Sequence, residues 1–446
     1  MSAGTRSLRP PPPQPRRRRS RPDIRLQRAP GEDGAVSAPG TTVPAELATW
    51  FDRLSAALAE ELPAAVELRH ALHADPRISG DEADTAAAVV AALGLGEGQV
   101  VAQTGRLVRV TGGPGRSVAL RAELDGLGVQ ERTGAPWSAT GDVMHACGHD
   151  THLAGLVALA RAVTRVGGPA PLVLLLQPRE ERAPSGAADV VAEGVLAAEG
   201  VDSVVAAHVQ PQLPAGVVNA TPGPVNASSD EFTITVTGHG GHGGYPHTTA
   251  DPVLALSAIV LNLQQLVSRR VDPTVGAVLA VTQLDAGTSF NVVPDTARAR
   301  GGLRAMREED RLALVRALTE VAEHTAAAYG CTVQVDSENN MPPLLNDPEL
   351  ARGAAGWLAR SGTTVDDAWR SFGSDDFSHF CAGARGLMLF LGVDGGAPNG
   401  DGRRPGLHSP RFLPGDEVVG QVATALLAGY LAGAELLGEV APPPAG

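Results

Sequence analysis

Hydrophobic and polar positions divide most of the chain into alternating helices and strands. Apolar residues recur at helical spacing from Pro44 to Asp75, where Pro76 ends the pattern, and again in DEADTAAAVVAALGLG, which stops at a glycine. The strands that follow are LVRVTG, SVALRAEL, PLVLLLQ and VDSVVAAHV, and the helices between them are HLAGLVALARAVTRVG and GAADVVAEGVLAAEG. Apolar strands separated by helices of this length predict an α/β domain with a mainly parallel sheet.

The pattern changes near residue 228. DEFTITVTG alternates apolar and polar residues as a half-exposed strand does, and two helices and three further strands follow it: DPVLALSAIVLNLQQLVSRR, AVLAVTQLDAG, TARARGGLRAM, EDRLALVRALTEVAEHTAAAYG and CTVQVDS. The order β-α-β-β-α-β predicts a ferredoxin-like α+β domain over residues 228–338. We therefore expect it to be inserted into the α/β domain, whose two parts are residues 46–227 and 339–446, the second with the buried strand GLMLFLGV.

Residues 1–45 differ from the rest of the chain. They are rich in Pro and Arg without hydrophobic periodicity, which predicts a disordered tail. An export signal of the twin-arginine type needs an apolar segment after RRRR, but SRPDIRLQR follows. The tail carries a formal net charge of +6. Because the whole chain carries −13, the remaining residues 46–446 carry −19. An acidic body of this kind argues against nucleic acid or an anionic membrane as a partner.

The cysteines and the hydropathy predict a cytoplasmic protein. Cys147, Cys331 and Cys381 are few, odd in number and far apart, which is atypical of a secreted disulfide framework. No uninterrupted apolar run approaches the roughly 20 residues that a membrane helix needs.

Polar residues stand where several predicted strands end. Glu123 and Asp125 follow one strand, Glu180 and Glu181 follow another, and His208 closes a third. The stretch MHACGHDTHLAGL leads into a helix at the same edge, and His408 lies in a late loop, GLHSPRF. Because ligands of open α/β sheets bind beyond the carboxyl ends of the strands, these residues predict a functional site there.

The residue types at this edge suit a metal. Taken singly, a Glu pair is usually solvated surface and a strand-end His is usually a core residue, but Gly148 permits a bend that lets Cys147 and His149 converge on one ion. Thiolate, imidazole and carboxylate ligands suit zinc, with manganese, cobalt or nickel possible. One carboxylate of an adjacent pair can bind the metal while the other takes a proton from a metal-activated water. Five candidate ligands exceed one tetrahedral site, so a pair of ions bridged by Cys147 is a natural explanation.

The motifs together resemble the metal-dependent amidohydrolases that include hippurate hydrolase and the indole-acetyl-amino-acid hydrolases, a branch of the aminoacylase and glutamate carboxypeptidase superfamily. The resemblance covers about residues 48–437 and rests on RAELDGL, MHACGHDTHLAGLVALA, QPREE, AAHVQPQLPAG, GHGGHGGYPHTTADPV, FNVVPDTARARGGLRA, FGSDDFSHF and GLHSPRF. It implies a zinc-peptidase-like catalytic domain and an inserted lid or dimerisation domain.

The resemblance also implies a role for individual residues. The metal ligands fall on Cys147, His149, Glu181, His208 and His408. Glu180 falls on the general base and Asp125 on an aspartate that orients a ligand. His242 matches a histidine that polarises the scissile carbonyl, and in many relatives this histidine acts in the active site of the partner subunit. Asn291 and Arg304 match a pair that contacts the substrate. His145, Asp150 and His152 are then expected to shape the loop around the ligands.

The implied activity is hydrolysis of the amide bond of N-acyl amino acids. A carboxypeptidase or dipeptidase of the same superfamily is the first alternative, and a non-catalytic binding member is the second. Arg179 and Arg182 flank the Glu pair where relatives have small residues, so they either change the charge preference for substrates or point to solvent. A homodimer is expected through the inserted domain, with DEFTITVTG extending a sheet across a two-fold axis or DPVLALSAIVLNLQQ offering an apolar helix face.

Overall fold

A computed structural model describes residues 44–443 except 114, 399, 401 and 439. The predicted tail, apart from its last two residues, lies outside the described residues. The described part contains ten α-helices: α1 Ala45–Ala74, α2 Ala83–Leu93, α3 His149–Val166, α4 Gly186–Glu193, α5 Val195–Ala198, α6 Pro252–Leu263, α7 Gln265–Arg270, α8 Glu308–Ala328, α9 Pro348–Arg360 and α10 Glu417–Leu437. Two 3₁₀ helices cover Pro246–Thr248 and Asp376–Ala382.

The strands of the described residues number sixteen. They are β1 Gln99–Val101, β2 Gly105–Thr111, β3 Ser117–Glu123, β4 Leu172–Gln177, β5 Val201–Gln210, β6 Val217–Asn219, β7 Gly223–Asn226, β8 Ser229–Thr237, β9 Gly241–His242, β10 Ala277–Ala286, β11 Val292–Val293, β12 Thr296–Ala305, β13 Thr332–Met341, β14 Leu344–Asn346, β15 Thr364–Asp366 and β16 Arg385–Gly392.

Eight strands form the large sheet, in the order β1-β2-β4-β3-β5-β16-β6-β15. Its four central strands, β4, β3, β5 and β16, are parallel, whereas β2 pairs with β4 and β6 pairs with β16 in antiparallel fashion. Every residue of β3 and β4 is buried, because helices cover both faces of the sheet. The predicted α/β fold with a mainly parallel sheet is confirmed.

Alternate side chains of the central strands pack into two separate hydrophobic cores, one on each face of the sheet. Leu120 and Leu174 pack into the core that contains α1, α2, α3, α9 and α10, while Ala119 and Val173 pack into the core that contains α4, α5 and the helix Asp376–Ala382. Because the central strands run parallel, their carboxyl ends lie at one edge of the sheet. That edge carries Glu123, Gln177 and His208.

A second, antiparallel sheet has the order β10-β12-β8-β13. Its strands and helices follow one another as β8, α6, β10, β12, α8 and β13, which is the predicted β-α-β-β-α-β order. Phe232, Ile234 and Val236 of β8 lie in a separate core with residues of α6 and α8. The other face of β8 alternates with these positions, as the half-exposed pattern predicted.

Three details differ from the sequence predictions. GAADVVAEGVLAAEG is not one helix, because Gly194 adopts a left-handed conformation (φ 69°) between α4 and α5. The segment predicted as one helix after Asp251 is divided at Gln264 into α6 and α7. β8 cannot extend a sheet across a two-fold axis, because β12 and β13 occupy both of its edges. The outer strands of this sheet are β10 and β13.

Among the described residues, α10 is the one helix long and apolar enough to cross a membrane by length and composition. Within its most apolar window, 78% is buried inside the protein. Its apolar surface is therefore used in packing against α3, α9 and the large sheet.

We expect the contact between α3 and α10 to require Gly155. A Cβ there would lie 2.6 Å from Cγ1 of Val422 and 3.1 Å from the backbone nitrogen of Ala423. Gly356 in α9 has no atom within 4 Å of its would-be Cβ, so G356A gains helix propensity without a clash. Both substitutions gain the helix propensity of alanine, but in G155A the new methyl group overpacks the contact with α10. G155A should therefore be less stable than G356A by about 1–3 kcal/mol. Thermal unfolding followed by circular dichroism checks this; equal midpoints for the two variants would contradict it.

Candidate metal centre

A glycine turn places Cys147 and His149 side by side at the start of α3. Gly148 has φ 86° and a Cβ there would lie 2.7 Å from Cγ2 of Val209, so both the conformation and the space favour glycine. Sγ of Cys147, a ring nitrogen of His149 and a carboxylate oxygen of Glu181 lie within 4.8 Å of one another. Three of the predicted ligands therefore form one cluster.

The two remaining predicted ligands adjoin this cluster. Nε2 of His208, on β5, lies 3.5 Å from Sγ of Cys147. Nε2 of His408 lies 3.2 Å from Oε1 of Glu181. His408 has a left-handed backbone (φ 64°), and its N–H donates to the carbonyl of Ala146, which ties the late loop to the cysteine loop. The structure thus brings all five predicted ligands together.

The hydrogen bonds of the histidines orient their free nitrogens toward the cluster. Nδ1 of His149 lies 2.8 Å from the carbonyl oxygen of Asp125, and Nδ1 of His208 lies 2.7 Å from the carbonyl oxygen of Val209. Each Nδ1 is therefore the donor, which leaves Nε2 as the ligating atom. Nε2 of His149 is buried without a hydrogen-bond partner among the described residues, and it lies 3.8 Å from Glu180 and 4.0 Å from Glu181.

Asp125 connects several segments around the cluster through hydrogen bonds and close contacts. Its Oδ2 accepts hydrogen bonds from the Ser79 hydroxyl at 2.7 Å and from the Glu181 N–H at 2.9 Å. Its Oδ1 lies 3.5 Å from Nδ1 of His149. Such contacts orient two ligands without using a metal bond, which agrees with the role that the resemblance implies.

His152 and His145, two of the residues predicted to shape the loop, are both buried. His152 uses both ring nitrogens: Nδ1 lies 2.9 Å from Glu123, and Nε2 accepts from the Val209 N–H at 3.0 Å. His152 is therefore not available as a ligand, although it lies in a group with Glu123, His149 and His208. His145 is buried, which lowers its pKa to about 4.

Glu180 belongs to a buried carboxylate group that the sequence did not predict. A carboxylate oxygen of Glu180 lies within 4.8 Å of one from each of Asp375 and Asp376. Burial, followed by the charges of Glu181 and these two aspartates, raises the pKa of Glu180 well above its usual range. Burial, followed by the charge of Asp375, raises the pKa of Asp376 to about 7, although Arg121 opposes the shift. The doubled Asp in FGSDDFSHF was the available signal.

Arg121 is the fully buried cation beneath these carboxylates. Its guanidinium pairs with Glu123, lies 3.1 Å from Oδ1 of Asp376 and donates to Oε1 of Gln177 at 2.7 Å. Gln177 in turn donates to both oxygens of Asp376 at 2.8 and 2.9 Å. One buried guanidinium thus connects the ends of β3 and β4 to the helix at Asp376.

The electrostatics of the cluster fit a bound cation. Burial and the neighbouring Glu181 and Glu180 raise the pKa of the Cys147 thiol well above its usual range. Burial opposes protonation of His149, but Asp125, Glu123 and Glu181 outweigh it and raise its pKa to about 10. The surroundings therefore favour positive charge at Nε2 of His149. A divalent cation would supply that charge, ligate the orphaned nitrogen and favour the thiolate of Cys147.

The predicted residues of the second sheet divide into two groups. Arg304 reaches the large-sheet side: its Nη1 donates to the carbonyl of Phe372 at 2.8 Å and lies 3.3 Å from the Ser374 hydroxyl, one residue before Asp375. His242 and Asn291 are exposed at the two-stranded β9–β11 sheet, where the Gly243 N–H donates to the Asn291 carbonyl. The described residues show no contact between His242 and the metal-ligand cluster.

The two arginines beside the Glu pair behave differently from each other. Arg179 is buried with φ 51°, and its guanidinium lies 2.6 Å from Asp189. The alternative that Arg179 points to solvent is therefore wrong, and an effect on the charge preference for substrates stays a prediction. Arg182 is exposed.

Comparison with known proteins identifies the family. Residues 119–425 match the profile of Peptidase family M20/M25/M40, and this range contains the whole ligand cluster, Glu180 and the second sheet. The protein belongs to this M20 family. The resemblance stated from the sequence motifs is thereby confirmed.

Individual M20 relatives carry names of amide hydrolases. The chain is 33% identical over 74% of its length to N-acetylcysteine deacetylase of Bacillus subtilis, covering 88% of that protein. It is 34% identical over 71% of its length to N-acetyldiaminopimelate deacetylase of Shouchella clausii, covering 83% of that protein. A crystal structure of a dinuclear metal-binding M20 peptidase from Bacillus subtilis superposes with a TM-score of 0.72 at 27% identity, over 85% of this chain and 99% of that one.

We expect Cys147 to become a thiolate when the M20 centre takes up a metal. Co²⁺ added to metal-free protein should produce a thiolate-to-cobalt absorption band in the near-ultraviolet and release a proton. C147A should lose the band, whereas C331A should keep it, because Cys331 lies in the core of the second sheet. A band that survives in C147A would remove Cys147 from the ligand set.

Proposed function

We propose that the protein is a metal-dependent amidohydrolase that hydrolyses N-acyl amino acids, releasing an acyl group and an amino acid. The observation that carries the proposal is the largely buried carboxylate of Glu180 next to the cluster of Cys147, His149 and Glu181. Membership of the M20 family and the two deacetylases among its relatives support the same reaction class.

The proposed cofactor is a pair of divalent ions, zinc or manganese, with cobalt and nickel as further possibilities. Cys147, His149, Glu181, His208 and His408 would hold them, since these side chains offer more ligand atoms than one tetrahedral ion accepts. Such ions, when bound, polarise a carbonyl and lower the pKa of a water molecule. The dinuclear relative from Bacillus subtilis supports two ions rather than one.

Glu180 is the proposed general base. Its carboxylate is adjacent to the ligand Glu181 in sequence and lies within reach of the cluster, yet it is grouped with Asp375 and Asp376. A carboxylate whose proton affinity is raised by burial and by neighbouring negative charge can take a proton from the attacking water and return it to the leaving amine. Asp125 would orient His149 and the backbone of Glu181 during both transfers.

The second sheet is proposed to act as a lid and dimerisation domain over residues 228–338. Arg304 would bind the carboxylate of the amino-acid moiety by a bidentate fork, with Asn291 contacting the substrate. Its present contacts at Phe372 and Ser374 place it beside the loop that leads to Asp375. His242 would polarise the scissile carbonyl. Its exposure on β9 supports the proposal that it acts in the site of a partner subunit.

A homodimer is the proposed assembly. β10 is an outer strand, and apolar side chains on it and on the segment that follows it are exposed, among them Leu284, Phe290 and Val292. Long outer strands with exposed apolar residues invite pairing with a second chain. We place the protein in the cytoplasm, in keeping with three free cysteines, and expect neither nucleic acid nor a membrane as a partner.

A carboxypeptidase or dipeptidase activity is the alternative for the same centre. Parallel assays with N-acetyl, N-benzoyl and long-chain N-acyl amino acids and with dipeptides would separate the two. Hydrolysis of dipeptides alone would replace the proposed substrate class. No hydrolysis of any member, in protein shown to contain metal, would support a non-catalytic binding role.

Glu180→Gln should keep the fold and the bound metal but lower the rate of N-acyl amino acid hydrolysis by roughly 10²–10⁴-fold, because the amide cannot accept the proton. Metal content by elemental analysis and kcat for the best substrate of the panel check this. E97Q, which makes the same change at an exposed position, is the control. A fully active E180Q protein would refute the assignment.

Mixing two inactive variants tests the placement of His242. If His242 acts in the partner's site, a heterodimer of H242A and E180Q chains contains one site with both intact residues. Activity should therefore appear after subunit exchange, up to about one quarter of that of wild-type protein if chains pair at random. Light scattering establishes the dimer in the same samples. A dimeric mixture that stays inactive would place His242 in its own subunit's site or outside catalysis.

A further inference from the structure

The last turns of α1 direct a row of cationic or ionisable side chains toward the segments that carry the metal ligands. Arg69, His70 and His73 contact α3, the loop that contains Glu131, and the residues just before α10. None of the three belongs to the ligand cluster or matches a motif that the sequence analysis used. His73 is the member with the most restrictive surroundings.

His73 is buried between two carboxylates. Nδ1 lies 3.1 Å from Oδ2 of Asp150, and Nε2 lies 3.2 Å from Oε2 of Glu131. The side chain of Glu131 is itself fully buried and accepts from the Ala139 N–H at 2.6 Å. A neutral imidazole would turn a lone pair toward one of the two carboxylates. Nδ1 is within hydrogen-bond distance of Asp150, whereas Nε2 makes an ionic contact with Glu131 without an aligned hydrogen bond. Two carboxylates facing the two ring nitrogens favour protons on both of them, that is, an imidazolium.

Asp150 connects this cation to the metal centre. It directly follows the ligand His149 in the first turn of α3, and its Oδ2 also lies 3.1 Å from Nε of the fully buried Arg69. Arg69 extends to Asp416 at 2.8 Å and donates to the carbonyl of Pro414 at 2.7 Å. The loop of Glu131 continues to Arg132, whose N–H donates to the carbonyl of Pro410, two residues after His408.

We propose that His73 is a positioning residue for the metal centre: as an imidazolium it joins the His149 end of α3 to the Glu131 loop and so sets the affinity of the site for its metal. This inference rests on the metal centre of the proposed function but not on the identity of the substrate. Loss of the positive charge would leave Asp150 and Glu131 buried with one cation fewer, and both segments would have to shift to hydrate them.

The charge of His73 titrates in a defined direction. The groups facing it are Arg69 and His70 on α1, Glu131 and His145 from loops, and Asp150 on α3. Burial opposes protonation, but Asp150 and Glu131 outweigh it and raise the pKa to about 9. Because the folded pKa is raised, the contribution of His73 is complete below the usual histidine pKa of about 6.5 and is lost as pH rises through about 9.

The test compares metal affinity in full-length wild-type and H73Q protein, measured with Zn²⁺ against a competing chelator from about pH 7 to about pH 10. At the lower pH, H73Q should bind Zn²⁺ roughly 10–100-fold more weakly than wild type. The ratio of the two affinities should fall toward one above the His73 pKa, because wild type then also lacks the charge. Proton release by the ligands is common to both proteins and cancels in the ratio.

Two further variants make the test specific. H70Q is the matched control, because His70 lies on the same helix but pairs with the half-exposed Asp416, so its affinity should stay within about twofold of wild type. H73K should restore affinity at the lower pH and retain it past the pH at which wild type loses it. Wild-type affinity in H73Q at the lower pH, or a ratio that does not change with pH, would overturn the proposal.

If H73Q does not fold, E131Q provides the same test from the other side of the contact. It removes one carboxylate partner of His73. E131Q should also bind Zn²⁺ more weakly than wild type at the lower pH, and the ratio of the two affinities should approach one at the higher pH. A folded E131Q protein with wild-type affinity throughout would contradict the proposal. Because the readout is metal binding, an unexpected substrate range would leave it untouched.

Discussion

The neutralisation of buried carboxylates at one edge of the large sheet is the constraint on which the rest of the site depends. Glu123, Asp125, Glu180, Asp375 and Asp376 are buried or nearly so within a short distance of one another. Carboxylates cannot remain charged in such surroundings without cations or hydrogen-bond donors. Arg121 and either a protonated His149 or, in the proposed function, two metal ions provide that compensation.

Compensation is divided between permanent and exchangeable charge. Arg121 is fully buried and holds Glu123 and Asp376 in every state of the protein, because a guanidinium does not release its proton. Glu180 makes no ion pair with Arg121 among the described residues, and burial, followed by the charge of Glu181, raises its pKa well above the usual range. The same edge therefore contains Glu123, whose pKa is held well below its usual range, beside Glu180 and Asp376, whose pKa values are raised. A separation of carboxylate pKa values of this kind is what general-base catalysis uses.

The second sheet contributes to this edge through few contacts. Arg304 reaches the segment before Asp375, and His242 and Asn291 remain exposed. A centre whose proposed metal ligands all come from the large-sheet side, and whose proposed substrate contacts come from the second sheet, would bind metal before substrate arrives. Closure over a substrate would then complete the set of groups around the scissile amide.

The sequence by itself determined most of the elements and predicted a set of candidate ligands. Alternation of buried strands and helices predicted the parallel centre of the sheet, and the spacing of Cys147 and His149 through a glycine predicted a metal site, because both depend on local periodicity and backbone geometry. Tertiary structure decided which polar residues meet. Asp375 and Asp376 approach Glu180, and His73 approaches Asp150, across long separations in sequence; likewise β8 is central only because β12 and β13 both pair with it. Charge compensation and strand pairing are long-range interactions, and no local pattern encodes their partners.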